Sequence, residues 1–165
     1  VKIGLLSDTH GYLDPALEKH FAGCDEIWHA GDIGSVDVLT QLRVWKPVRA
    51  VYGNIDEPEI RHRLPEDEQF TAEGVHVWIT HIGGSPPHYN ARVNKRLETD
   101  TPHVFICGHS HILKVMKDEK RNGMLFINPG AAGMQGFHPV RTAVRFDIGG
   151  GRISRLEVIE LGKRG

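Results

Sequence analysis

The sequence is poor in the features that mark a special environment. Among its 165 residues only Cys24 and Cys107 are cysteines, too few for a disulfide framework and in no CxxC metal motif. Cys107 follows Phe105-Ile106 and Cys24 lies just after Phe21-Ala22, which predicts two small buried thiols. No apolar run approaches the roughly 20 residues of a membrane-spanning helix. The opening Lys2-Ile3-Gly4-Leu5-Leu6-Ser7 runs straight into Asp8 without a signal-peptide pattern. These absences predict a cytoplasmic location and no membrane partner. An excess of either charge is missing too: 20 Lys and Arg against 21 Asp and Glu leave a formal net charge of −1. There is therefore no electrostatic footprint for nucleic acid. Linkers, repeats and low-complexity stretches are also lacking, so one domain over residues 1–165 is expected.

Histidine breaks the pattern. The chain carries 11, about three times the usual share, and histidine is both the commonest metal ligand and the usual proton carrier near neutral pH. Where they fall is the informative question.

Apolar stretches of strand length end repeatedly in polar or glycine-rich turns. Ile3–Ser7, Glu26–Ala30 and Val48–Tyr52 read as strands, separated by helices that start after Asp14-Pro15 and at Ser35. Strand, helix, strand, helix, strand predicts a parallel sheet with right-handed crossovers. The second half reads as a hairpin at Glu73-Gly74, a helix from Asn90 to Leu97, a strand His103–Cys107, and further strands with short turns. The expected fold is α/β: two mixed β-sheets packed face to face, flanked by helices.

Five polar motifs close the strands: Asp8-Thr9-His10, Gly31-Asp32, Gly53-Asn54-Ile55-Asp56, Thr80-His81 and Gly108-His109-Ser110-His111. In α/β sheets, loops at the carboxyl ends of strands meet at the ligand site. Asp8 and His10 are two residues apart, as are His109 and His111, so in extended backbone each pair points the same way. Carboxylate, amide and imidazole donors without thiolate suit a hard-to-borderline divalent cation. Any one motif alone is an ordinary turn; their joint occurrence in this order is what singles out a site.

This motif set resembles that of the calcineurin-like metallophosphoesterases, in particular the small bacterial and archaeal phosphodiesterase branch similar to the retromer subunit Vps29. The resemblance runs from Asp8-Thr9-His10 to Asn128-Pro129-Gly130 and implies a four-layer αββα sandwich. It further implies that Asp8, His10, Asp32 and His111 hold one metal, and that Asp32, Asn54, His81 and His109 hold a second, with Asp32 bridging. Two such metals can share a bridging hydroxide as nucleophile. The implied activity is hydrolysis of a small phosphoester, a diester before a nucleotide monoester; a metal-binding interaction scaffold is the alternative. Mn²⁺ suits the donors best, with Zn²⁺, Fe and Ni²⁺ open, and a homo-oligomer is also open.

Where many relatives place a proton-donating histidine after the asparagine, this chain has Ile55. Asp56 is then the candidate acid, set against a turn-stabilising role. His88 and Tyr89 are candidates for substrate contact, and His29 and His138 for support or rim positions around the site.

Overall fold

The computed structural model describes residues 1–164. Along β1 (Lys2–Leu6), Ile3 and Leu5 enter one apolar core while Leu6 enters another, all fully buried. This strand covers both of its faces, so it reads as a continuous apolar run. It pairs in parallel with β2 (Glu26–His29), which pairs in parallel with β3 (Val48–Ala50). The crossovers carry α1 (Ala16–His20) and α2 (Val36–Trp45). Ser35 Oγ accepts from the Val38 amide as the expected cap of α2, whereas Pro15 takes the N-cap position of α1 and Asp14, one residue earlier than the helix boundary requires, accepts from the Ala16 amide.

A four-residue helix α3 (Pro58–Arg61) follows, with proline in its first turn. Next come β4 (Asp67–Ala72) and β5 (Val75–Thr80), antiparallel about Glu73-Gly74 as expected. β6 (Gly84–Ser85) and β7 (His88–Tyr89) form a minimal ladder before α4 (Ala91–Thr99), which Asn90 caps. The chain then makes β8 (Val104–Ile106), β9 (Leu113–Asp118), β10 (Met124–Pro129), β11 (Val140–Gly149) and β12 (Arg152–Lys163). Neither α3 nor the β6–β7 ladder was foreseen, being too short to show a period.

One sheet has the order β12-β11-β1-β2-β3 and the other β4-β5-β8-β10-β9; both are mixed. The final hairpin thus returns to the first sheet, β11 pairing antiparallel with β1. Three cores fill the layers. Ile3, Leu5, Trp28, Val77, Ile79, Val104, Ile106, Val144 and Phe146 pack between the sheets. Leu6, Leu17, Phe21, Ile27, Leu39, Leu42 and Ala143 pack the first sheet on α1 and α2. Trp78, Phe105 and Phe126 pack the second sheet on Val93 and Leu97 of α4. The period-2 alternation of side chains assigns successive residues of β5, β8 and β10 to different cores. Both cysteines are buried, and burial pushes the Cys107 thiol up to about 12. Among the described residues no helix is long and apolar enough to cross a membrane.

At the carboxyl ends of β1 and β2 the loops are tied together by one buried imidazole. His29 Nδ1 accepts from the Gly31 amide at 3.0 Å, so its proton sits on Nε2 and is donated to Thr9 Oγ1 at 3.0 Å. Thr9 in turn donates to the Ile33 carbonyl at 2.8 Å. Burial holds the His29 pKa down from 6.5 to about 4, which preserves the neutral form this chain of bonds requires.

Two outcomes follow from this architecture. A Cβ at Gly4 would lie 2.6 Å from the Phe21 ring, whereas one at Gly23 would meet nothing within 4 Å. Gly4→Ala should cost about 1–3 kcal/mol by overpacking and Gly23→Ala no more than about 0.5 kcal/mol, compared by urea titration. For His29, the unfolded chain binds the extra proton between pH 6.5 and about 4. Stability is therefore full above that window and lost as pH falls through it, by on the order of 3 kcal/mol. His29→Gln, which keeps an acceptor and a donor but does not titrate, should flatten that part of the stability profile; an unchanged slope would show that another group governs it.

Candidate metal centre

The expected residues meet. Asp8 and His10 follow β1, Asp32 follows β2, Asn54 follows β3, His81 follows β5, and His109 and His111 follow β8. The site therefore lies across the edge of both sheets, at strand carboxyl ends. Two groups have metal-ligand geometry: Asp8, His10 and His111, and Asp32, His81 and His109; in each, the donor atoms lie within 4.8 Å of one another. Asp32 Oδ2 stands 3.4 Å from His10 Nε2 and 3.2 Å from His81 Nε2, so it faces both groups. Asp8 Oδ1 stands 3.1 Å from His111 Nε2. Asn54 Oδ1 lies 3.1 Å from His109 Nδ1, which joins the amide to the second group.

Several other atoms of these side chains are held by hydrogen bonds. Asp8 Oδ2 accepts from Ser7 Oγ at 2.7 Å and from the His109 amide at 3.1 Å. Asp32 Oδ1 accepts from the Ile55 amide at 3.1 Å. His81 Nδ1 donates to the Ala30 carbonyl at 2.8 Å, which leaves the Nε2 lone pair facing the carboxylates. An outer hydrogen bond of this kind fixes the tautomer a ligand needs. What remains is a set of orphans: Asp8 Oδ1, His10 Nε2 and His81 Nε2 are buried without a hydrogen-bond partner. Unpaired buried groups are costly, and here they converge on the same small space. Convergent donors of this kind could hold a cation.

Electrostatics agree. Burial would raise the Asp8 carboxyl, but His10, His111, His81 and Ser7 hold it well below the usual range. Asp32 is likewise held down against burial, by His10 and His81. The Asp32 and Asp8 carboxylates push His10 up to about 9. Burial disfavours charge on His81, yet the same carboxylates raise its pKa. Both acids stay ionised at neutral pH and draw positive charge into the site.

Close backbone approach is built in. A Cβ at Gly53 would lie 2.0 Å from Asp32 Oδ1, and one at Gly108 would lie 2.1 Å from Ser7 Oγ. Asp8, His10, Asp32, His109 and His111 themselves adopt left-handed backbone, with φ of 53°, 47°, 55°, 70° and 63°.

Some expectations need correction. Asp56 does not stand as a free acid: its carboxylate accepts from the amides of Gly53, Gly34 and Ile33 at 2.8, 2.8 and 3.2 Å. With three donors on it, it is a turn-stabilising acceptor that binds the β3 loop to the β2 loop. Tyr89 is a core residue whose hydroxyl donates to Asp118 at 2.7 Å, so it is not positioned for substrate. His88 is exposed on the β6–β7 ladder. His138 does border the site, its ring 5.1 Å from that of His111. Ile55 is 41% exposed.

Arg61 and Arg92 had no signal in the motifs. Together with Tyr52 and Glu66 they line a cleft of about 210 Å³ that also touches Asn54 and His81. Arg61 donates to the carbonyls of Asp56 and Asn54 and lies over the Tyr52 ring at 4.9 Å. Arg92 grips both Asp67 oxygens at 2.9 Å and donates to Thr80 Oγ1. The one available cue was Glu57-Pro58, a proline placed to start a helix that carries Arg61.

Comparison with known proteins bears on this arrangement. Over 140 residues the chain is 31% identical to a protein named as a probable metallophosphoesterase from Methanothermobacter thermautotrophicus, covering 78% of this chain and 76% of that one. Its fold is similar to a structure described as a novel archaeal phosphodiesterase, with TM-score 0.76 and 22% identity, covering 96% and 100% of the two chains. It is also similar to Vps29 from Entamoeba histolytica in complex with Zn²⁺, with TM-score 0.70 and 18% identity over 97% and 99%. The family model of the calcineurin-like phosphoesterase superfamily domain matches residues 1–151. The chain belongs to this superfamily of metal-dependent phosphoesterases.

Proposed function

We propose that this protein hydrolyses phosphodiesters with good leaving groups, using two divalent cations held by Asp8, His10, Asp32 and His111 on one side and Asp32, Asn54, His81 and His109 on the other. The observation that carries the reading is the convergence of orphaned, buried donors from both groups on one space, with Asp32 Oδ2 facing both. The donors are oxygen and imidazole nitrogen without thiolate, which favours Mn²⁺. When bound, such cations supply Lewis-acid activation of water and of the phosphoryl oxygens.

The protein's own groups do the rest. His81 is fixed through Ala30, and Asp8 through Ser7 and the His109 amide, so the donors are preorganised. Arg61 holds the Asn54 backbone in place. It also lines the adjoining cleft, where Arg92 is paired with Asp67 and Arg61 stands with Glu66, so the cleft is polar and carries both signs of charge. What the chain withholds beside Asn54 is a proton. Ile55 has none to give, and the Asp56 carboxylate is held as an acceptor by three backbone amides. A poor alkoxide leaving group depends on general acid help of about 10²–10⁴-fold; an aryloxide does not.

Chelated protein should lose aryl diester hydrolysis and regain it on addition of Mn²⁺. Across leaving groups of rising pKa the rate should fall steeply, and alkyl monoesters should be poor substrates. Ile55→His should lift the poor leaving groups by at least about tenfold, within the range a placed acid supplies, and leave aryl diesters nearly unchanged. Asp56→Asn should instead cost about 1–3 kcal/mol of stability, because an amide group satisfies three amide donors poorly, and should scale all substrates alike. Full activity in excess chelator, or rapid wild-type turnover of alkyl monoesters, would overturn this reading.

A further inference from the structure

Two depressions open off the proposed site, and their chemistry differs. The one beside Asn54 and His81 is the small polar cleft of about 210 Å³, with Arg61, Arg92 and Glu66 in its walls. The other, beside His109 and His111, is a groove of about 710 Å³ lined by Ile112, Leu113, Phe137, Pro139 and Val140, with Thr142 and Glu160 among its other walls. It passes between the loop entering β9 and the β11–β12 hairpin, so both sheets contribute. Its apolar residues are open to solvent: Ile112 is 65% exposed and Phe137 fully so. Exposed apolar side chains scattered singly need no explanation, but a contiguous set rimming a site does. The groove's volume falls within the about 300–1,000 Å³ of small-molecule sites, while the polar cleft is too small for more than a compact polar group.

A phosphodiester has two ester arms, and a site between two unlike depressions can tell them apart. We propose that the groove takes an apolar arm of the substrate, aryl or alkyl, so that Ile112, Leu113, Phe137 and Val140 select asymmetric phosphodiesters with one apolar and one polar substituent. This inference rests on the phosphoesterase reading of the adjoining site. The argument for a substrate arm, over a second protein, is continuity: two of the residues lining the groove, His109 and His111, are proposed ligands. An arm lying there is joined by one ester bond to a phosphoryl group at the metal centre. No covalent step beyond diester hydrolysis is required.

The test is binding of inorganic phosphate and of a series of n-alkylphosphonates to the Mn²⁺-loaded full chain, by calorimetry. In the wild type, affinity should rise roughly two- to fourfold per added methylene as the chain enters the groove. Ile112→Ser and Phe137→Ser, both at exposed positions that leave the core untouched, should flatten that increment without altering phosphate affinity. In catalysis the same variants should raise KM for apolar aryl diesters and leave kcat nearly unchanged. If phosphate binds but chain length makes no difference in the wild type, the groove's role is refuted and the metal centre stands. If phosphate does not bind the loaded protein, both readings fail. If Ile112→Ser changes the oligomeric state in sedimentation and leaves the alkyl increment intact, the groove belongs to a second copy of the chain and the proposal is wrong.

Discussion

Everything at the site depends on backbone held where side-chain-bearing residues rarely go. Asp8, His10, Asp32, His109 and His111 all take positive φ, at about 1–2 kcal/mol each, in sum comparable to the whole stability of a domain. Such conformations persist only where the surroundings over-determine them. Here the surroundings are named: the amides of Asp8 and His10 donate to Gly31 and Asp32, Gly108 donates to His81, and His109 donates to the Asp8 carboxylate. Each loop is thus bonded to a loop from another strand. Asp and His are also among the side-chain-bearing residues that tolerate this region best, so one choice of residue serves both the turn and the donor set.

Below that layer the fold supplies rigidity. The two sheets share a core of branched aliphatic residues with Trp28 and Phe146, and the outer cores fasten helices to each sheet. The buried His29, the saturated Asp56 carboxylate and the Arg61 contacts then connect the strand ends laterally. None of these groups belongs to the proposed donor set. They fix where the donors stand by bonding each loop to its neighbours.

Much of this was legible in the sequence because it repeats one device: an apolar run of strand length closed by a polar motif. Asp8-Thr9-His10, Gly31-Asp32, Gly53-Asn54, Thr80-His81 and Gly108-His109-Ser110-His111 all close strands or lie just beyond them, and the structure gathers them as expected. Boundaries were read well where a cap marked them, as at Ser35 and Asn90. A strand opened by polar residues, as β4 is by Asp67 and Glu68, carries no such mark. Residues that act across space had no local signature. Arg61 and Arg92 reach the same cleft from α3 and α4, and no spacing rule joins positions 31 residues apart. Asp56 could be weighed as acid or as turn residue, but only its three amide donors decide between them.

The proposed ligands divide between the sheets. Asp8, His10, Asp32 and Asn54 come from strand ends of the first sheet, and His81, His109 and His111 from strand ends of the second. During synthesis the first four emerge early, whereas the Asp8 carboxylate meets the His109 amide only after a separation of 101 residues has been closed. Loop closure over such a span must precede any reward from the contact. A nascent chain therefore exposes a partial, carboxylate-bearing donor set well before the imidazoles that complete it. The donor set is complete only when the second sheet docks on the first, so its geometry is a property of the finished sandwich and not of its amino-terminal half.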